Sequence, residues 1–305
     1  ISSNTFNDKN IIPVLYVDHR GRTPDPTPMA TPIETTMDDA NCGTRCYYVE
    51  SSDIESETGN VVKILKKSFN STSINKTESG GAVYFINCGL YIEDSKFDSC
   101  QSLVGGSGAI YIDNDKELRN EITIKSVYFT GCKSYYGGAV YVRSRSENVQ
   151  VLIANSTFDS NVLFDRKENE KFGGSAVYFY VRNGNVESCK FNKNKGKGGA
   201  LKIMNDFDSE KSFVKNLLGL HQNRISINDC SFDDKDQSSS SIYYVGGKHA
   251  SKLAVTNCVF TGILNKGTHY IDGHLIVKES PKISVKTCVF NGDQMSAFNL
   301  KNDFI

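Results

Sequence analysis

Two pairs of charged residues stand where chemistry could be expected. Asp113 and Asp115 lie four and six residues after Ala109, and Arg143 and Arg145 hold the same places after Ala139. Residues i and i+2 of a strand project from one face roughly 6–7 Å apart. At that separation two carboxyls can serve as the acid and the nucleophile or base of glycosidic-bond hydrolysis. Arginines on the neighbouring strand would keep both carboxyls ionised and spoil the general acid. The competing reading is an exposed ladder of ion pairs, each worth well under ~1 kcal/mol. Nine cysteines form no Cys-x-x-Cys pair and are accompanied by only five histidines, so neither a metal site nor a cofactor is expected. His269 and His274 flank Asp272, but no nucleophile motif accompanies them. Asp206 and Asp208, and Asp233, Asp234 and Asp236, lack the spacing of a calcium loop.

The elements that must carry these residues are legible as an internal repeat. A phenylalanine recurs at Phe69, Phe97, Phe129, Phe158, Phe191, Phe232, Phe260 and Phe290, at spacings of 28 to 41 residues. Five residues earlier stand Ile64, Ile92, Ile124, Ile153, Val186, Ile227, Val255 and Val285. Seven earlier stand Val62, Leu90, Ile122, Val151, Gly184, Ile225, Leu253 and Ile283. Two residues before the phenylalanine, later repeats carry Cys189, Cys230, Cys258 and Cys288, where earlier ones carry Ser95, Val127 and Ser156. Positions −7 and −5 alternate with polar residues and share one strand face. The odd step from −5 to −2 breaks the alternation, so the chain must bend there. Two short strands meeting at a corner every ~30 residues describe a turn of a parallel β-helix. Stacked cysteine side chains about 4.8 Å apart run parallel and cannot form unstrained disulfides, so the column reads as small apolar filler.

A second signature completes the repeat. Gly80-Gly81-Ala82-Val83-Tyr84-Phe85 returns as Ser107-Gly108-Ala109-Ile110-Tyr111-Ile112, Gly137-Gly138-Ala139-Val140-Tyr141-Val142 and Gly174-Ser175-Ala176-Val177-Tyr178-Phe179. Gly198-Gly199-Ala200-Leu201-Lys202-Ile203 is a fifth copy. Glycines turn the corner, and β-branched or aromatic residues follow with period two. The aliphatic set is expected in the core, with the alanines and tyrosines outside. Tyr84, Tyr111, Tyr141 and Tyr178 are then an outward aromatic column and a candidate binding surface.

The Gly-Gly-Ala-[Val/Ile] and Phe-x-x-Asn signatures, the latter as Phe158-Asp159-Ser160-Asn161 and Phe191-Asn192-Lys193-Asn194, resemble the repeats of chlamydial polymorphic outer membrane proteins. Similar repeats occur in surface proteins of some protists and environmental bacteria. The likeness extends over residues 61–302. It implies a right-handed parallel β-helix of the pectin-lyase-like type and an adhesive role, secreted or at a cell surface, and brings no catalytic residues. Cys100 and Cys132 depart from it, replacing the Asn in two repeats.

The expected fold is therefore all-β. Residues 41–305 form a single-stranded parallel β-helix of about eight coils, and residues 1–40 an extended N-terminal arm. Within the arm, Ile12, Val14, Leu15, Tyr16 and Val17 read as an edge or assembly strand. Pro24, Pro26, Pro28 and Pro32 stand among Thr23, Thr27, Thr31, Thr35 and Thr36, an extended linker and candidate O-glycosylation segment reaching about 40 Å. Asn70, Asn75 and Asn155 lie in N-glycosylation sequons. Cys42 and Cys46 either close a local disulfide or remain free thiols. Residues 162–172 and 206–221 interrupt the regular repeat, the second as a candidate short helix.

Charge adds exclusions. The 35 basic and 35 acidic residues cancel, leaving no footprint for nucleic acid, and no apolar run approaches the ~20 residues of a membrane-spanning helix. The expected function is an extracellular structural or adhesive, non-enzymatic β-helix. Its partners are copies of itself, joined end to end into a filament through the N-terminal strand, or glycans and cell-surface proteins. The alternative is a polysaccharide lyase or glycoside hydrolase on the same fold.

Overall fold

The computed structural model describes residues 15–18, 47–48, 61–74, 80–86, 89–103, 105–114, 121–146, 148–164, 173–196, 198–205, 223–233, 240–246, 251–261, 274–278, 282–291 and 298–301. Every described element is a strand, and every pairing between strands is parallel. The strands stack into four sheets of ten, eight, eight and four strands, which together form a β-helix. Positions 162–164 belong to this regular pattern, since strand Val162–Leu163 pairs with strand Lys133–Ser134. Residues 165–172 and 206–221 lie outside the described residues, as do Asn75, Cys42, Cys46, Asp115 and the Pro/Thr segment.

One eight-stranded sheet holds the aliphatic positions in strict register: Ile92 pairs with Ile64 and Ile124, and the same column runs through Ile153, Val186, Ile227, Val255 and Val285. The other holds the phenylalanines. Their rings stack face to face along the solenoid, with centroids 4.6–5.1 Å apart and planes within 10°. The expected bend between these sheets is a left-handed residue at −3 in all eight repeats, from Lys66 (φ 52°) to Thr287 (φ 54°). A second left-handed corner follows the phenylalanine at +2, as at Ser71, Ser99, Gly131, Ser160 and Lys193.

Small polar side chains secure both corners. At −2, Ser95 and Ser156 donate to the carbonyls of Glu93 and Ala154 at 2.9 and 2.8 Å. At +3, Asn194 Nδ2 donates to the Phe158 carbonyl at 3.0 Å, and Asn161 Nδ2 to the Phe129 carbonyl at 3.3 Å. Asn161 Nδ2 also donates to Asn194 Oδ1 at 2.9 Å, and the Cys132 N–H to Asn161 Oδ1 at 3.0 Å. Where cysteine replaces the asparagine, its thiol takes the same direction: Cys100 Sγ faces the Phe69 carbonyl at 3.6 Å, and Cys132 Sγ the Phe97 carbonyl at 3.8 Å. The position requires a donor aimed at a buried carbonyl, which either residue supplies.

The glycine corner opens the ten-stranded sheet. A Cβ on Gly81, Gly108 or Gly138 would overlap the carbonyl oxygen of Gly108, Gly138 or Ser175 on the next turn, so backbones meet there with no room for a side chain. One expectation fails here. Ala82, Ala109, Ala139, Ala176 and Ala200 lie in the core instead of facing outward. The N–H groups of Ala82 and Val83 both donate to the Ala109 carbonyl, at 3.0 and 2.9 Å, and the pattern repeats from Ala109, Ala139 and Ala176, whereas Ala200 and Leu201 donate separately to Ser240 and Ser241. Two consecutive donors on one acceptor mark a kink, and alternation cannot be carried backward across it.

Strand Leu15–Asp18 lies in the ten-stranded sheet of its own chain, between strand Val83–Ile86 and strand Tyr47–Tyr48, with Leu15 opposite Val83. The strand read as an assembly element thus extends its own first turn. The two ends of the solenoid differ. In the first repeat Ile64 and Phe69 are buried, whereas in the last Val285, Cys288 and Phe290 are only partly covered and Ile283 and Val289 are exposed.

Candidate functional site

The residues singled out for chemistry converge on the outer face of the ten-stranded sheet. Strand Ile110–Asn114 is in register with strand Val140–Ser144, which sets Tyr111 beside Tyr141 and Asp113 beside Arg143. Tyr84, Tyr111, Tyr141 and Tyr178 stack at 5.1, 4.8 and 5.1 Å, forming a column on the opposite face of the strands from the aliphatic core. Their phase is as expected, but their depth is not. Tyr84, Tyr111 and Tyr178 are 3, 6 and 8% exposed, and only Tyr141 retains partial exposure. Tyr136 stands edge-on against both Tyr141 and Tyr178, at 6.0 and 6.1 Å. What reads from the sequence as an open strip is a second buried cluster, and burial pushes the Tyr111 and Tyr141 phenols well above their ordinary range.

The column continues with a cation. Lys202 occupies the tyrosine position of the next strand and is 1% exposed. Its Nζ lies 5.8 Å from the Tyr178 ring centre and 5.1 Å from that of Tyr243. Lys278 Nζ covers Tyr243 from the following strand at 5.3 Å. Alternating rings and ammonium groups are mutually attractive, and desolvation strengthens the attraction.

Beside this column Arg143 grips Asp113 with two parallel bonds, Nε to Oδ1 and Nη2 to Oδ2, both 2.6 Å. The exposed ladder expected for this pair is instead a bidentate, largely covered clamp, with the Asp113 side chain 11% exposed. Burial works against the Arg143 charge, but the bonds to Asp113 outweigh it and raise the guanidinium above its ordinary value. Both carboxylate oxygens of Asp113 are engaged by Arg143. A comparable in-register pair lies on the aliphatic sheet. There Lys125 and Tyr91 both donate to Glu93 at 2.7 Å, holding its carboxyl below the usual range.

Among the described residues no group of three or more His, Cys, Asp or Glu side chains is placed to hold a metal ion. The six described cysteines are free thiols. The thiol of the preceding turn, together with burial, disfavours the thiolate and pushes the Cys230 and Cys258 thiols up. Asn70 and Asn155 are exposed, and Asn155 is itself a left-handed corner residue. One contact absent from the sequence reading joins Ser241 to His274, Oγ to Nδ1 at 3.0 Å, both buried. The signal was present in the repeat. Ile242 N–H donates to the His274 carbonyl as Val177 N–H does to that of Ala200, so Ser241 and His274 continue the alanine column. His274 packs against Phe260 and Phe290 at 5.7 and 6.1 Å, a core position, and burial lowers its pKa. No protein-family model and no curated protein matches the chain.

Proposed function

We propose that this chain is a non-catalytic structural and adhesive β-helix that works outside the cell. It offers glycans or cell-surface proteins a rigid rod, and it joins copies of itself end to end. The observation that carries the reading is the use of side chains on the outer face of the ten-stranded sheet. Tyrosines stack on tyrosines, Lys202 sits between rings, and Asp113 is clamped by Arg143, so polar and aromatic groups bind one another along the axis. The repeat resemblance to polymorphic outer membrane proteins supports the same role. The pairing of strand Leu15–Asp18 with strand Val83–Ile86 is a contact that an exchanged strand would make between chains, and it supports end-to-end growth. Among the described residues no helix is long and apolar enough to cross a membrane.

Incubation with acidic and neutral polysaccharides tests the reading. Retention without shortening of the glycan is expected. Depolymerisation that is lost in Asp113→Asn would replace it with the lyase or hydrolase alternative. For assembly, light scattering and microscopy should find elongated particles that disappear when residues 1–22 are deleted. A monodisperse monomer both before and after deletion would remove the filament.

A further inference from the structure

Four consecutive repeats place a cysteine at −2: Cys189, Cys230, Cys258 and Cys288. Each Sγ faces the carbonyl two residues earlier, at 3.1 Å for Glu187, 3.2 Å for Asn228, 3.2 Å for Thr256 and 3.3 Å for Lys286. Each also faces a carbonyl of the preceding turn, those of Ile153, Val186, Ile227 and Val255, at 3.6–3.8 Å. Sulfurs with the same contacts on in-register turns repeat at the strand spacing, ~4.8 Å. The corner does not require sulfur. Ser95 and Ser156 make its hydrogen bond with oxygen, and Val127 occupies the same place with none. Sulfur on four successive turns adds softness toward metals, which the corner does not use.

We propose that this column binds soft monovalent metal ions of the copper(I) and silver(I) class, each held in a line between two stacked sulfurs. With the zinc–thiolate length of about 2.3 Å as a guide, the two sulfurs of a linear site lie ~4.6 Å apart, within a few tenths of an ångström of the strand spacing. The straight column that excludes a tetrahedral zinc site suits two-coordinate ions. A thiolate sulfur in a straight column cannot bridge two ions in line, so the four sulfurs act as two pairs, Cys189 with Cys230 and Cys258 with Cys288, and hold two ions. As each ion binds, the two sulfurs of its pair exchange their protons for metal–sulfur bonds and the protons leave to solvent. Four thiolates and two monovalent ions leave two net negative charges. The carbonyl oxygens of Val186 and Val255, which now face the thiols of Cys230 and Cys288, then face the cations. Cys189, Cys230 and Cys258 are buried, while Cys288 is partly exposed and gives ions a way in.

Silver(I) nitrate added to the fully reduced chain in chloride-free buffer, with glutathione present to remove singly held ions, is the test. The readouts are native mass spectrometry and the ultraviolet thiolate-to-metal band. The chain should retain two ions more than a variant with all four cysteines changed to serine, a residue that the same corner already accepts at Ser95 and Ser156. The remaining five cysteines are common to all forms and cancel. Cys288→Ser should lose one ion, and the double variant Cys258→Ser/Cys288→Ser should lose the same single ion, because the two thiols serve one site. Equal retention by the native chain and the serine variants would overturn the proposal. So would the loss of two ions in the double variant, the result for thiols that bind independently.

Discussion

The phenylalanine stack yields a prediction whose size follows from position. Phe158 is fully buried, with Phe129 at 4.8 Å on one face and Phe191 at 4.9 Å on the other. Phe290 stacks on Phe260 at 4.7 Å, with His274 tilted against it at 6.1 Å, and is partly exposed. Truncating a buried phenylalanine to alanine costs about 3–5 kcal/mol. Each stacked face contributes about 0.5–1.5 kcal/mol beyond the buried area. Phe158→Ala loses two faces and a fully enclosed ring, which places it near the top of that range, at about 4–5 kcal/mol. Phe290→Ala removes a ring that is only partly covered to begin with, so a smaller cost, about 2 kcal/mol, is expected. Phe158→Leu keeps most of the apolar burial and isolates the two stacking terms, at about 1–3 kcal/mol. Urea titration followed by far-ultraviolet circular dichroism measures all three, and tyrosine fluorescence reports packing in a chain without tryptophan. Equal costs for Phe158→Ala and Phe290→Ala would refute the claim that stacking along the axis is what the repeat encodes.

Further substitutions probe the aliphatic sheet, the corners and the core. Gly184 fills an aliphatic position where a Cβ would meet Ile225 and Val181 at 3.5 Å, ordinary contact, so Gly184→Ala should stabilise by about 0.4–1 kcal/mol in thermal melts. Gly138→Ala, whose Cβ would overlap the Ser175 carbonyl, should abolish accumulation of folded chain. Asn161→Leu removes the side-chain partner of the Cys132 N–H and of the Phe129 carbonyl, at about 1–3 kcal/mol for each group, while Asn194 Oδ1 keeps the backbone N–H of residue 161. Asn161→Cys should cost less than half as much in the same titration, because a thiol already serves this position at Cys132. His274 is neutral in the fold because burial lowers its pKa, whereas the unfolded chain protonates it near pH 6.5. The stability it supports is complete above that pH and is lost as pH falls through the lowered value. Melting temperature should drop between pH 7 and 5, and the drop should flatten in His274→Asn.

The stacking partners of the sheets were legible because a solenoid repeats its own register. Once Phe97 and Phe129 share a position, Ile92 must meet Ile124, and Asp113 must meet Arg143. Parity carried this information only within an unbroken strand. It placed Val83 and Phe85 inward and Tyr84 outward, but failed at Ala82, where the glycine corner resets the phase. Residue identity was too fine a label at the +3 corner. Cys100 and Cys132 look like departures from asparagine, yet they aim a donor at the same carbonyl, so the encoded requirement is the hydrogen bond. Depth was not encoded at all. Register says that Asp113 faces Arg143 and that Tyr111 faces Tyr141, but not that Tyr136, outside the strands, stands edge-on against Tyr141 and Tyr178. The difference decides the chemistry. The same aspartate and arginine are a weak, solvated ion pair in the open and a rigid bidentate clamp when covered, and the same tyrosines change from a binding strip into packing. The cysteine column, built entirely from the regular part of each turn, is where a chemical property can be inferred from the repeat alone.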